Sequence, residues 1–173
     1  MGRVCLFEGW LRVGTGLVGG GAAVPVAAGT APVLALLAVS RTISMDAIAV
    51  IPVAGILLGG CMTATSLAGR RAVEELDQRK GEVGAALALG FLPRQAALGI
   101  CRPAANQALV PALDRTRTVG LVTLPGAFVG MLLGGASPIE AGIVQLVVLV
   151  ALLAAEAVAI LVTTEMVARG SFT

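Results

Sequence analysis

Residues 72–118 read AVEELDQRKGEVGAALALGFLPRQAALGICRPAANQALVPALDRTRT, a charged run set between apolar stretches. Where this run sits decides the fold. Upstream, Val13–Ser40 and Ala47–Gly69 carry no charged residue. Downstream, Val119–Pro138 carries none, and Ala141–Thr164 carries only Glu156. About 20 apolar residues cross a bilayer core, so each of these stretches is long enough for a transmembrane helix. The sequence therefore predicts an all-α polytopic membrane protein. It is a single membrane domain over 1–173, with about four transmembrane helices (13–40, 47–69, 119–138 and 141–164) and a helical segment at 70–118.

Composition supports the bilayer as solvent. The chain has 173 residues, 57% hydrophobic and 13% charged, and a mean hydropathy of +0.96. Soluble domains carry about 25% charged residues. The absence of histidine and tyrosine excludes His-based acid–base catalysis, His-metal sites and the HExxH class of membrane protease. Cys5, Cys61 and Cys101 share no metal-binding or redox spacing, so no metal site is assigned. Aromatic content of 3% leaves no stacking platform for nucleic acid. No GxxxxGK[ST] loop occurs, so the chain has no motif to cradle ATP phosphates, and no cofactor is expected. The first span is diluted by glycine and proline. Arg3 and Arg12 before a small-residue run also fit a poor signal peptide, but Val33–Leu37 extends the apolar run past a normal cleavage region and favours a membrane helix.

Charge sets the orientation. Eight of the twelve Lys and Arg residues fall in 70–118: Arg70, Arg71, Arg79, Lys80, Arg94, Arg102, Arg115 and Arg117. The positive-inside rule places this segment in the cytoplasm. The turns 41–46 and 134–140 then face outward, and both termini lie inside. This makes a multi-pass protein of the plasma (inner) membrane, in contact with lipid.

Within the charged run, Ala72–Phe91 reads as an amphipathic helix, with Val73, Leu76, Val83 and Leu87 near one face. Glu75 and Arg79 are spaced for an i,i+4 pair. Gly90 suits a helix end and Pro93 the first turn of the next helix, so a helix–turn–helix elbow is expected at 90–93. Periodicity alone leaves two readings open. The elbow either fits a groove on another protein or merely links two helices.

Residues 82–96, EVGAALALGFLPRQA, resemble the cytoplasmic coupling segment of ATP-binding-cassette (ABC) permeases, with its Glu-Ala-Ala-x-x-x-Gly signature. IPVAGILLGG (51–60), MTATSLA (62–68) and TVGLVTLPG (118–126), followed by Pro138 and Gln145, resemble more narrowly the FetB-like permease family of the iron-export and aluminium-tolerance type. The resemblance runs from about Ala47 to Leu153. It implies a permease subunit that exports a metal ion, iron-like, or a related small solute. It also implies an ABC ATPase as partner, a second permease chain in a homodimer, and no enzymatic activity of the chain's own. It assigns ATPase coupling to Glu82, Ala85, Ala86, Leu87, Gly90, Pro93 and Arg94. Three positions depart from the family pattern: Gly84 where an acid is usual, Gly60 where Asn is usual, and Met131 where Gln is usual. Family members are also longer, with further helices before the position of Val13. The chain is then a truncated member, or the missing helices come from another chain.

Glu156 lies mid-span, where an acid costs about 2.5–3.5 kcal/mol on insertion scales. It either serves transport or sits protonated against Thr163 or a neighbouring helix. Pro52 and Pro125 free helix carbonyls inside spans two and three, which can line a pathway or simply kink the helix. Thr65, Ser66 and Thr123 add hydroxyls nearby, although such hydroxyls commonly bond back to their own helix. The pathway reading takes Pro52, Met62, Thr65, Thr123, Pro125, Gly126, Gln145 and Glu156 as its border. The hexamers GILLGG (55–60) and GMLLGG (130–135) match at five of six positions, which a Gly/Leu-rich chain reaches by chance. Two other functional classes remain: a non-transporting scaffold or truncated remnant, and an ion-coupled secondary transporter with Glu156 as carrier.

Overall fold

The computed structural model describes residues 22–39, 47–118, 126–133, 135 and 137–170, and among these it contains six helices. They are α1 (Ala23–Val39), α2 (Ala47–Gln78), α3 (Lys80–Ala88), α4 (Pro93–Thr118), α5 (Gly126–Leu133) and α6 (Pro138–Ala168). Helices α2, α4 and α6 pack against one another, α1 lies against α6 and α2, and α5 against α6.

Among the described residues, two helices are long and apolar enough to cross a membrane, α2 over Val53–Gln78 and α6 over Pro138–Ala168. α6 has 31 residues, about 46 Å at 1.5 Å per residue, against about 30 Å of bilayer hydrocarbon. Its start is sharply specified. The Glu140 amide donates to Ser137 Oγ at 3.3 Å, and the Ser137 amide donates to Glu140 Oε2 at 3.0 Å. Pro138 fills the first helical position, where no amide hydrogen is needed.

The core forms three layers along the bundle. At the elbow end Ala72, Cys101 and Val167 meet. Next come Ala64, Ala68, Ala108 and Ile160. Farthest from the elbow, Val53, Leu57 and Cys61 of α2 meet Val148, Leu152, Ala155 and Ala159 of α6 and Leu37 of α1. Alanine dominates the middle layer, where Ala64, Ala68 and Ala108 meet Ile160, and small residues let backbones approach closely. At Gly29 a Cβ would fall 2.5 Å from the Ala155 carbonyl oxygen and 3.2 Å from Cys61 Sγ. α1 therefore sits flush on α6 only because residue 29 has no side chain.

Several sequence expectations are corrected. The helix of the second span does not end at Gly69. No strong helix breaker follows it, and α2 continues unbroken to Gln78, so Ala72–Gln78 is the end of α2 rather than the start of a separate helix to Phe91. The break falls at Arg79, beside the helix-weakening Gly81 and Gly84. Residues 93–118 are not a solvated connection. Ala96, Ile100, Ala104, Ala108 and Ala112 are buried at every fourth position, a stripe that seats α4 in the bundle from residue 96 to residue 112. The third span is not one helix to Pro138. α5 covers eight residues, about 12 Å, and Gly135 follows it at φ +87°. Thus GILLGG lies inside a helix, whereas GMLLGG terminates one. Residues 13–21 of the first span and 119–125 of the third lie outside the described residues.

Two outcomes test this packing. Gly29→Ala is expected to lose about 1–3 kcal/mol in detergent thermal unfolding, whereas Gly59→Ala, where a Cβ meets nothing within 4 Å, should hold or gain stability. Cys61 and Cys101 are both fully buried. In a Cys5→Ser chain, a maleimide should therefore modify neither thiol until denaturant is added. Rapid labelling of native Cys101 would contradict the seating of α4.

Candidate functional site

The elbow is built by a complete glycine stop. α3 ends at Ala88 with Leu89 as its cap. The Phe91 amide donates to the Ala86 carbonyl at 3.1 Å, and the Gly90 amide donates to the Leu87 carbonyl at 3.0 Å, with Gly90 at φ +87°. This is the Schellman pattern, which requires a left-handed residue at Gly90. Pro93 then opens α4, and the Gln95 and Ala96 amides both donate to the Leu92 carbonyl. No side chain of α3 is buried. Leu87, Leu89, Phe91 and Leu92 project from the tip, with Leu89 79% exposed. An apolar tip on a fixed turn is a surface suited to a partner groove.

The other coupling candidates divide between this tip and its supports. Ala85 is exposed and Ala86 half-buried. Glu82 is engaged within the chain: Arg79 Nε donates to its Oε1 at 2.8 Å, and that hydrogen bond holds the Glu82 carboxyl below the usual carboxylate range. Arg94 Nε donates to Glu165 Oε1 of α6 at 2.6 Å, and Arg169 Nε reaches the same oxygen at 2.8 Å. Farther along, Arg71 of α2 donates to Gln107 of α4. α4 is thereby tied to α6 at its start and to α2 near its middle.

The second candidate region is a row of buried polar groups in the bundle. Glu156 and Thr65 are each 1% exposed, and Gln145 is buried. Gln145, Val148, Leu152 and Glu156 share the buried face of α6. Arg115 Nη1 of α4 stands 3.2 Å from Glu156 Oε1, an ion pair between α4 and α6. Neither Glu156 oxygen, nor Thr65 Oγ1, nor Gln145 Oε1 has a hydrogen-bonding partner among the described residues. Gly60 faces the carboxylate, since a Cβ there would lie 2.5 Å from Glu156 Oε1. Thr163 does not serve Glu156; its hydroxyl donates to the Ala159 carbonyl at 2.7 Å.

Of the pathway candidates, Thr65, Gln145 and Glu156 thus lie inside the bundle. Met62 is 60% exposed on the outer surface of α2. Pro52 lies in the second turn of α2 and Gly126 opens α5. Thr123 and Pro125 lie outside the described residues. Sequence reasoning missed Arg115. The signal was present, because an acid at mid-span needs a counter-charge, but Arg115 had been counted among the charges of a cytoplasmic segment.

Buried small-residue helices, a mid-span ion pair and a protruding elbow form a membrane bundle, and sequence comparison gives it a family. The profile described as "Uncharacterised protein family (UPF0014)" matches residues 14–172. The chain belongs to the UPF0014 family. It is 40% identical over 152 residues to the UPF0014 membrane protein STAR2 of Oryza sativa subsp. japonica, covering 88% of this chain and 53% of that protein. It is 37% identical over 152 residues to the protein ALUMINUM SENSITIVE 3 of Arabidopsis thaliana, covering 88% and 56%. It is 32% identical over 118 residues to the probable iron export permease protein FetB of Escherichia coli (strain K12), covering 68% and 46%. The chain spans about half the length of these relatives. No solved structure matches it. The expected kinship with FetB-like proteins is therefore met, and this UPF0014 chain is a membrane protein.

The unpartnered hydroxyl of Thr65 gives a direct test. Burying a hydroxyl without a hydrogen bond costs about 1–3 kcal/mol. Thr65→Val keeps the shape and removes the group, so detergent melting should show a chain as stable as the native one, or up to about 1 kcal/mol more stable. Clear destabilisation would mean that the hydroxyl has a structural partner.

Proposed function

We propose that this chain is a permease subunit of an ABC transporter that exports a metal ion, iron-like, or a related small solute, with ATP hydrolysed on a separate subunit. The observation that carries the reading is the elbow: an exposed Leu87/Leu89/Phe91/Leu92 tip, locked by Gly90, on a turn whose outgoing helix runs straight into the bundle. A push on that tip reaches α2 and α6 through α4 and through the Arg94–Glu165 and Arg71–Gln107 contacts. In this reading Glu82, Ala85, Ala86, Leu87, Gly90, Pro93 and Arg94 form the coupling surface and its supports. The elbow and both termini face the cytoplasm of a plasma-membrane protein, and two permease chains assemble. Thr65, Gln145 and Glu156 border the solute route from inside the bundle, with Pro52, Thr123, Pro125 and Gly126 completing it, whereas Met62 faces outward from α2. The probable iron export permease FetB among the relatives favours a metal ion as cargo.

The test is ATPase coupling. The permease, reconstituted with the ABC ATPase that co-purifies with it, should stimulate ATP hydrolysis. A Leu89→Asp/Leu92→Asp chain should lose that stimulation while keeping its melting temperature, because both side chains are exposed. A Gly90→Trp chain should also uncouple. Full stimulation by the Asp pair would remove the docking role. Solute flux without any ATPase would favour the ion-coupled carrier based on Glu156, and neither flux nor ATPase binding would favour a scaffold.

A further inference from the structure

At the elbow end of the bundle, α4 and α6 bring two arginines onto one carboxylate beside an open cavity. We propose that Arg94, Glu165 and Arg169, with the apolar wall of that cavity, form a binding site for an anionic phospholipid of the cytoplasmic leaflet. The lipid phosphate lies on the two guanidiniums, and an acyl chain runs along Leu161, Val162 and Met166. Only the choice of leaflet rests on the permease reading.

Arg94 of α4 and Arg169 of α6 each donate Nε to Glu165 Oε1, at 2.6 Å and 2.8 Å. Two cations on one carboxylate leave one positive charge in excess. Each guanidinium carries further donors on its Nη groups, and the described hydrogen bonds engage only Nε. Both side chains are open to a ligand, at 50% and 61% exposure. A tie between α4 and α6 needs Arg94 alone. Arg169 bonds within α6 and adds nothing to that tie, whereas a second guanidinium beside the first suits the oxygens of a phosphate.

The cavity has a volume of about 550 Å³, and its described lining is Leu161, Val162, Glu165, Met166 and Arg169. Three apolar side chains thus lead up to the charged cluster. Position along α6 sets the depth. Ile139, Ile143, Leu146, Val150, Val158 and Leu161 form its exposed apolar face. From Ile139 to Leu161 that face runs about 33 Å at 1.5 Å per residue, against about 30 Å of bilayer hydrocarbon. Leu161 therefore stands at the edge of the hydrocarbon. Arg169 reaches back one turn to Glu165, so its guanidinium lies about 6 Å beyond Leu161. A headgroup layer adds about 5–7 Å on each side of the hydrocarbon, which puts the cluster level with lipid phosphates.

Charge and shape together select the ligand. The cytoplasmic leaflet carries the anionic lipids, and basic pockets on that side hold their headgroups. A zwitterionic headgroup cancels its own phosphate charge, so the excess positive charge favours an anionic one. A free phosphate meets the guanidiniums but leaves the apolar wall of Leu161, Val162 and Met166 unused.

The test titrates the full chain in detergent with phosphatidylglycerol, phosphatidylcholine and inorganic phosphate, and counts bound lipid by native mass spectrometry. The unaltered chain should bind phosphatidylglycerol at least about tenfold more tightly than phosphatidylcholine. Arg94→Gln/Arg169→Gln should lose that preference. Lys80→Gln/Arg102→Gln, which removes the same charge outside the cavity lining, should keep it, and excess inorganic phosphate should leave the bound lipid in place. Equal binding of the two lipids, equal loss in the charge-matched control, or displacement of the lipid by inorganic phosphate overturns the proposal. So does an Arg94→Gln/Arg169→Gln chain that keeps the lipid preference but no longer stimulates the ATPase, which assigns the arginines to docking. If that double variant does not fold, Arg169→Gln decides, because Arg169 is tied only within α6: a lost preference supports the site, and an unchanged one removes it. Lipid binding is read without ATPase or transport, so a failure of the permease reading remains distinguishable.

Discussion

Glu156 constrains everything around it. A carboxylate buried in an apolar helix must be neutralised, paired or hydrated, and each option demands something of its neighbours. The structure pairs it, and the partner comes from α4. For Arg115 to reach that depth, α4 must run beside α2 and α6 rather than lie across their ends. For α4 to run there, its buried stripe must be small, and residues 96, 104, 108 and 112 are all alanine. For α2 to pass close to the carboxylate, residue 60 must be glycine. The ion pair, the alanine stripe and the glycine are one solution to a single electrostatic requirement.

The same arrangement joins two regions that look unrelated in the sequence. The elbow at 90–93 and the acid at 156 are connected through one helix, which begins at the elbow and carries Arg115 near its far end. The ties from Arg94 and Gln107 are exposed and add little stability in water. Their value is positional, since they hold α4 against α6 at Glu165 and against α2 at Arg71.

The sequence was legible where chemistry is local. Gly90 and Pro93 announced the elbow because a left-handed stop and a first-turn proline have few other uses. α6 was plain from an apolar run that only Gln145 and Glu156 interrupt before its closing threonines, and the kinship was plain from IPVAGILLGG and TVGLVTLPG. What failed was inference from charge. Arg70, Arg71 and the acids after them suggested that α2 had ended, yet charged residues continue a helix perfectly well outside the hydrocarbon. Arg102, Arg115 and Arg117 suggested a solvated segment, yet α4 buries alanine on one face and carries charge on another. Counting basic residues assigns a side of the membrane and says nothing of whether the segment packs. The every-fourth alanines at 96, 104, 108 and 112 were the overlooked signal, because alanine is too weakly hydrophobic to stand out in hydropathy while being the residue that close helix contacts select.

The candidate site shows the same division. Thr65, Gln145 and Glu156 were marked by polarity within apolar runs, and all three turn inward. Met62 was marked by its place in a family-like motif and turns outward. Polarity at membrane depth is a physical demand that the fold must answer, whereas motif membership alone carries no direction on a helix. Arg115 satisfied neither criterion, since it belonged to no motif and stood among other charges. It becomes visible only when the demand is followed from the acid outward: a buried carboxylate that stays charged needs a counter-charge, and Arg115 is the basic side chain that α4 brings against it.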